Sequence, residues 1–104
     1  MEKIIIYADE DLKGLIPGYL ENTMKGINLI KEYVDKEQYQ LVKKTAHQLK
    51  GSGRSFGFDF ITEYGQSIEK AAINEEGDKI IKLVKDFINY SEKISIKYVS
   101  EDDL

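Results

Sequence analysis

His47 is the only histidine of the chain, and its surroundings are not those of a packing residue. It opens the segment His47-Gln48-Leu49-Lys50-Gly51-Ser52, in a stretch whose apolar spacing is helical. At about 100° per residue, Leu41, Val42, Thr45, Leu49, Ser52 and Phe56 fall on one arc, the expected buried face. His47 lies nearly opposite the middle of that arc, among Lys43, Lys50 and Arg54, with Gly51 one turn on. Imidazole titrates near neutrality, and when an acceptor holds one ring N–H the other nitrogen presents its lone pair. The chemistry open to such a residue is nucleophilic. Metal binding is disfavoured, because the chain offers no second histidine and no cysteine. The competing reading is an ordinary exposed histidine on a charged helix. Gly51 weighs against it, since glycine inside a helix costs roughly 1 kcal/mol relative to alanine and needs a reason beyond stability.

The segment resembles the signature of the histidine phosphotransfer (HPt) domain, a His followed by x-Leu-Lys-Gly-Ser on a helix. The matching residues are His47, Leu49, Lys50, Gly51 and Ser52, and Gly57 fits the end of that helix. As a succession of amphipathic helices the resemblance spans roughly residues 9 to 96, and it is weakest at the two ends. It implies that His47 is phosphorylated on Nε2. Lys50 would then offset phosphoryl charge, and Gly51 would leave room for a partner's loops. An acceptor for the inner ring nitrogen is expected from the third helix. Glu69, at the edge of that helix's apolar face and at the family's usual Glu or Gln position, is the choice over Gln66 and Thr62.

Lys43, Lys44 and Arg54 extend the basic stripe within an acidic protein, and are expected to bind partners. The partners implied are a response-regulator receiver domain and a sensor histidine kinase. Receiver domains carry an acidic pocket with Mg²⁺ and a phosphorylated aspartate, so opposite potentials would steer the encounter. Taken singly, each of these cations reads equally well as a solvated charge. Gly53-Arg54-Ser55-Phe56-Gly57 is not a phosphate-binding loop, since it lacks the Lys-Ser/Thr ending and a preceding strand. The expected role is a phosphocarrier in a multistep His-Asp relay, with no cofactor, ATP site or metal site of its own. Two other readings compete with it. One is an adaptor that docks on a receiver or kinase and sequesters it; the other is a kinase or phosphatase.

The elements that must hold this site read as four helices. The first runs from about Ile16 to Val34, with Ile16, Leu20, Thr23, Ile27, Ile30 and Val34 at three- and four-residue steps and Pro17 in the first turn. Asp9 to Leu15 is expected to form a short lead-in helix. Asp35 is the expected cap of the second helix, which Gly57 ends. The third starts near Asp59 and buries Phe60, Ile61, Tyr64, Ile68, Ala71 and Ala72. After a turn at Asn74 to Gly77, Asp78 is the expected cap of the fourth, whose apolar side holds Ile80, Ile81, Val84, Phe87, Ile88 and Ile94. Short connections favour antiparallel neighbours, so the fold class is all-α: an up-down four-helix bundle. Lys3 to Tyr7 and Ile94 to Val99 are rich in β-branched and aromatic residues, and either pair as a small ribbon or lie across the bundle's end. Ser100 to Leu104 is expected to fray.

Composition bounds the rest. A chain of 104 residues, 41% apolar and 33% charged, is expected to form one soluble domain over residues 1–104. The net charge of −4 argues against general nucleic-acid binding. The longest apolar run, Ile4 to Ala8, is too short for a membrane span, and the absence of cysteine suits a reducing compartment. A cytoplasmic monomer is the expectation.

Overall fold

The four amphipathic stretches form four α-helices: α1 (Ile16–Asp35), α2 (Tyr39–Phe56), α3 (Asp59–Ile73) and α4 (Gly77–Glu92). The computed structural model describes residues 2–104. Each helix packs on the next, and α4 closes back on α1. Their apolar stripes meet in one core. Ile16, Ile27 and Ile30 enter from α1, Val42 and Ala46 from α2, Ile61, Ile68 and Ala71 from α3, and Ile80, Val84 and Phe87 from α4. Phe58, in the connection after α2, is buried at one end, where Tyr19 stacks on Phe56 at 4.1 Å between ring centres. The two phenylalanines flanking this turn thus sit against the bundle's apolar interior.

Helix ends follow local chemistry that the residue types only partly reveal. Pro17 stands in the first turn of α1, and Gly57, at φ 82°, ends α2, both as expected. Asp35 is not the cap of α2; it is the last residue of α1, and Gln38 occupies the cap position. The cause is Glu37, which adopts φ 54°. Its N–H donates to the Val34 carbonyl at 3.0 Å, and that of Gln38 donates to Tyr33 at 2.8 Å, so the end of α1 is closed by its own backbone. Glu75, at φ 52°, repeats the device after α3, where the Glu76 N–H donates to the Ala71 carbonyl at 2.9 Å. Consequently α4 starts at Gly77, and Asp78 lies in its first turn instead of capping it.

The ends of the chain pair. β1 (Ile4–Asp9) and β2 (Ile94–Val99) form a two-stranded parallel sheet, in register from Ile4 opposite Ile94 to Asp9 opposite Val99. Ala8 is buried, and Ile6, Ile94, Ile96 and Tyr98 pack on the helical core, which supplies the support that two strands lack alone. Between β1 and α1 lies a single 3₁₀ turn, Glu10–Leu12, capped by Asp9. The last residues are not frayed: Glu101–Asp103 forms another 3₁₀ turn, with the Ser100 hydroxyl accepting from the Asp102 N–H. Among the described residues, no helix is long and apolar enough to cross a membrane.

Candidate functional site

The buried residues of α2 are Val42, Ala46, Leu49 and Gly53. Their centre is rotated by roughly 60° from the arc expected through Leu41, Thr45 and Ser52. Leu41 is exposed, and Thr45 and Ser52 are half-buried. The reason is close packing between small residues. A methyl group on Gly65 of α3 would stand 2.8 Å from the Lys50 nitrogen and 2.9 Å from the Ala46 carbonyl oxygen. One on Gly53 would stand 2.8 Å from the Thr62 nitrogen. The two backbones therefore touch, which apolar periodicity does not register because glycine carries no hydropathy signal. Thr62 adds a tie, its hydroxyl donating to the Lys50 carbonyl at 3.0 Å. Gly53 lies inside the buried face rather than at its edge.

This rotation carries His47 to the flank of α2 that adjoins α3. Its side chain keeps 70% of its surface exposed, while Nδ1 lies 2.8 Å from Oε2 of Glu69, which is only 16% exposed. A carboxylate accepts and cannot donate, so Nδ1 carries the hydrogen and donates it, leaving the Nε2 lone pair unengaged. Lys50 Nζ stands 3.7 Å from the other carboxylate oxygen, Oε1. One glutamate thus orients the imidazole and is itself held by a cation. Partial burial in the α2–α3 seam restricts its rotamers, which makes it a firmer support than an exposed acid.

The other residues singled out by the sequence occupy the same side. His47, Lys43, Lys44 and Glu69 line one open depression together with Gln40 and Gln48. Gly51 is exposed, and a methyl group there would meet nothing within 4 Å. Arg54 is exposed in the last turn of α2, two turns beyond His47. Among the described residues, Lys43, Lys44 and Arg54 form no ion pair with an acidic side chain. Gln66 is exposed and Thr62 is bonded to backbone, so neither replaces Glu69 as the partner of His47. Gln40 was missed, although it falls on the His47 stripe two turns earlier; a neutral side chain gave no signal. Gly65 was missed too, and only its place between Ile61 and Ile68 could have marked it. Ser52 ties helices together, with its Oγ 3.1 Å from the Tyr19 hydroxyl.

With this geometry in hand, comparison with protein families is decisive. The family model described as Hpt domain matches residues 14–88, well over half of the chain. The chain belongs to the Hpt domain family. Hpt domains serve histidine phosphotransfer in phosphorelays as phosphocarriers, and interact there with receiver domains and kinases. In this Hpt domain the matched stretch contains α1, α2, α3 and most of α4, and leaves out both β-strands. No curated protein and no solved structure gave a match to it.

The α2–α3 seam of this Hpt domain invites a direct perturbation. Gly65→Ala should destabilise the fold by about 1–3 kcal/mol, because the atoms in the way are backbone and cannot swing aside. The gain in helix propensity offsets only part of that cost. Thermal unfolding measures the loss, and the separation of the helices should also lengthen the His47–Glu69 contact, detectable as a changed imidazole NMR signature. An unchanged melting temperature would mean that the two helices have slack at this crossing.

Proposed function

We propose that His47 accepts a phosphoryl group from an aspartyl phosphate of a receiver domain, and donates it onward, in a multistep His-Asp phosphorelay. One observation carries the proposal: the half-buried Glu69 carboxylate holds Nδ1–H at 2.8 Å while the rest of the ring stays open. In the forward step the Nε2 lone pair attacks phosphorus, the N–P bond forms, and the acyl O–P bond breaks with release of the receiver's carboxylate. Nδ1 retains its proton, and the Glu69 carboxylate balances the positive charge that the ring acquires. No base has to remove a proton for transfer to occur, so the step reverses through the same geometry. Lys50 is placed to turn from Glu69 toward the phosphoryl oxygens, and Lys43, Lys44 and Arg54 supply a cationic rim for an acidic partner.

The chain acts as one carrier domain in this reading, with nucleotide and metal chemistry left to its partners, in the cytoplasm where such relays operate. The bundle is up-down-up-down. Connections of two or three residues support that order. So do the contacts of α2 with α3, which run in reverse: Gly53 meets Thr62, Lys50 meets Gly65, and His47 meets Glu69.

Access can be separated from chemistry at Gly51. Gly51→Gln has open space for its side chain and improves helix propensity by roughly 0.5–1 kcal/mol, so the melting temperature should stay level or rise. Transfer from a phosphorylated receiver should nonetheless fail, since the new side chain stands beside the imidazole. A stable variant that still transfers at the parental rate would show that partners do not approach over Gly51.

A further inference from the structure

The two-stranded sheet lies outside the stretch shared with the family, and it holds none of the residues of the proposed phosphotransfer site. Its free edge is unusual. The Ile4 N–H donates to the Lys93 carbonyl at 2.7 Å, so Ile4, Ile6 and Ala8 turn their backbone groups toward β2. Alternation then directs the N–H and C=O of Ile5, Tyr7 and Asp9 to the opposite edge. Among the described residues, Ile5 and Tyr7 have no backbone partner outside the ladder. Their side chains are also bare, each 55% exposed. Edge strands are commonly blunted by charge, proline or a bulge. Lys97 does this in the middle of β2, whereas Ile4-Ile5-Ile6-Tyr7-Ala8 has none of these.

The occupant that suits this edge is β1 itself. In an antiparallel β1–β1 pairing with its two-fold axis at Ile6, Ile5 lies opposite Tyr7 of the second copy, and Lys3 lies opposite its Asp9. Every residue whose backbone faces the free edge then meets a residue that also faces it, as the hydrogen-bonded pairs of an antiparallel ladder require. The pairing joins an aromatic to a β-branched residue and a cation to an anion, each twice by symmetry. Sliding the register by two residues sets Lys3 against Tyr7, or Asp9 against Ile5, and loses the charge pair. Beyond Asp9 the chain turns away into the 3₁₀ turn at Glu10, which ends the ladder. We infer that this protein forms a weak symmetric dimer through β1, with a continuous four-stranded sheet of order β2-β1-β1-β2. The monomer expected from sequence is then the dilute form. The sheet packs at the Phe58 end of the bundle, and nine residues of α2, about 13 Å, separate His47 from Phe56 there. Both phosphotransfer sites stay open in the dimer, and its existence does not depend on the relay role.

Sedimentation velocity of the full chain, loaded from about 5 to about 500 µM, tests the inference. The average mass should climb from 12.0 kDa toward twice that value. Lys3→Asp places two like-charge pairs in the interface and should raise the dissociation constant by about tenfold. The exchange Lys3→Asp with Asp9→Lys should restore it, even though it removes the exposed Asp9 cap. Ile5→Lys, at a position exposed in the monomer, should weaken the dimer without lowering the melting temperature. A monomer at every concentration overturns the inference. So does a dimer indifferent to these substitutions, which would place the contact elsewhere, or one not rescued by the charge exchange.

Discussion

His47→Gln should abolish phosphoryl transfer while leaving the fold intact. Glutamine has no basic nitrogen lone pair, so nothing remains to attack phosphorus, yet its amide N–H can still donate to Glu69. The ring it replaces is 70% exposed, and substitutions at such positions usually change stability by no more than about 0.5 kcal/mol. Label carried by a phosphorylated receiver domain should stay on the receiver or be lost to water. The melting temperature should move by no more than a few degrees, which separates a dead site from an unfolded one. Label recovered on the variant would assign the phosphoacceptor elsewhere. An unphosphorylated receiver that binds and is inhibited equally well by parent and variant, with no label on either, would favour the adaptor.

Lys50→Ala should slow transfer by a large factor without preventing it. Its ammonium is the nearest cation to the imidazole's carboxylate partner, and it is partly sheltered, with 30% of the side chain exposed. Removing one such contact from a charge-transfer step costs on the order of 2–4 kcal/mol in the barrier, or tens- to hundreds-fold in rate. The effect should appear in the transfer rate at saturating receiver, not in receiver affinity. Lys50→Arg should recover part of it, since charge is kept while reach and shape change. A rate within twofold of the parent in Lys50→Ala would reduce Lys50 to a tether for Glu69.

What could be read from the residues, and what could not, divides along a physical line. Helical periodicity located four helices, because burial of apolar side chains leaves its mark in sequence. The outward placement of His47 and the choice of Glu69 followed from the same periodicity and from the resemblance of His47 to Ser52 to a known motif. The α2–α3 seam did not follow. Gly53 and Gly65 act by what they lack, so the buried face of α2 was drawn through Leu41 and Ser52 rather than through Ala46 and Gly53. That error matters for function, because the true rotation is what brings Nδ1 within 2.8 Å of Glu69. Helix ends closed by Glu37 and Glu75 at positive φ were equally silent, since glycine or asparagine is the usual signal there. Asp35 and Asp78 had the right chemistry for caps and were displaced by those turns. The terminal strands were legible as β-prone segments, but their parallel register depends on the helical layer beneath them.

The seam also explains how an imidazole that is largely exposed is held in one orientation. Backbone contact at Gly65 and the Thr62 tie fix the distance between α2 and α3, and Glu69 follows one turn after Gly65. The imidazole is then oriented from below by a half-buried group, and in the proposed relay a partner would approach it from above across Gly51.

The measurement that bears most directly on this account is the position of the phosphoryl group, read by ¹⁵N and ³¹P NMR on protein labelled with ¹⁵N and phosphorylated by a receiver domain. Phosphorus should be bonded to Nε2 of His47, with the proton on Nδ1 retained and its exchange slowed by Glu69. Phosphorus on Nδ1, or on any residue other than His47, would contradict it.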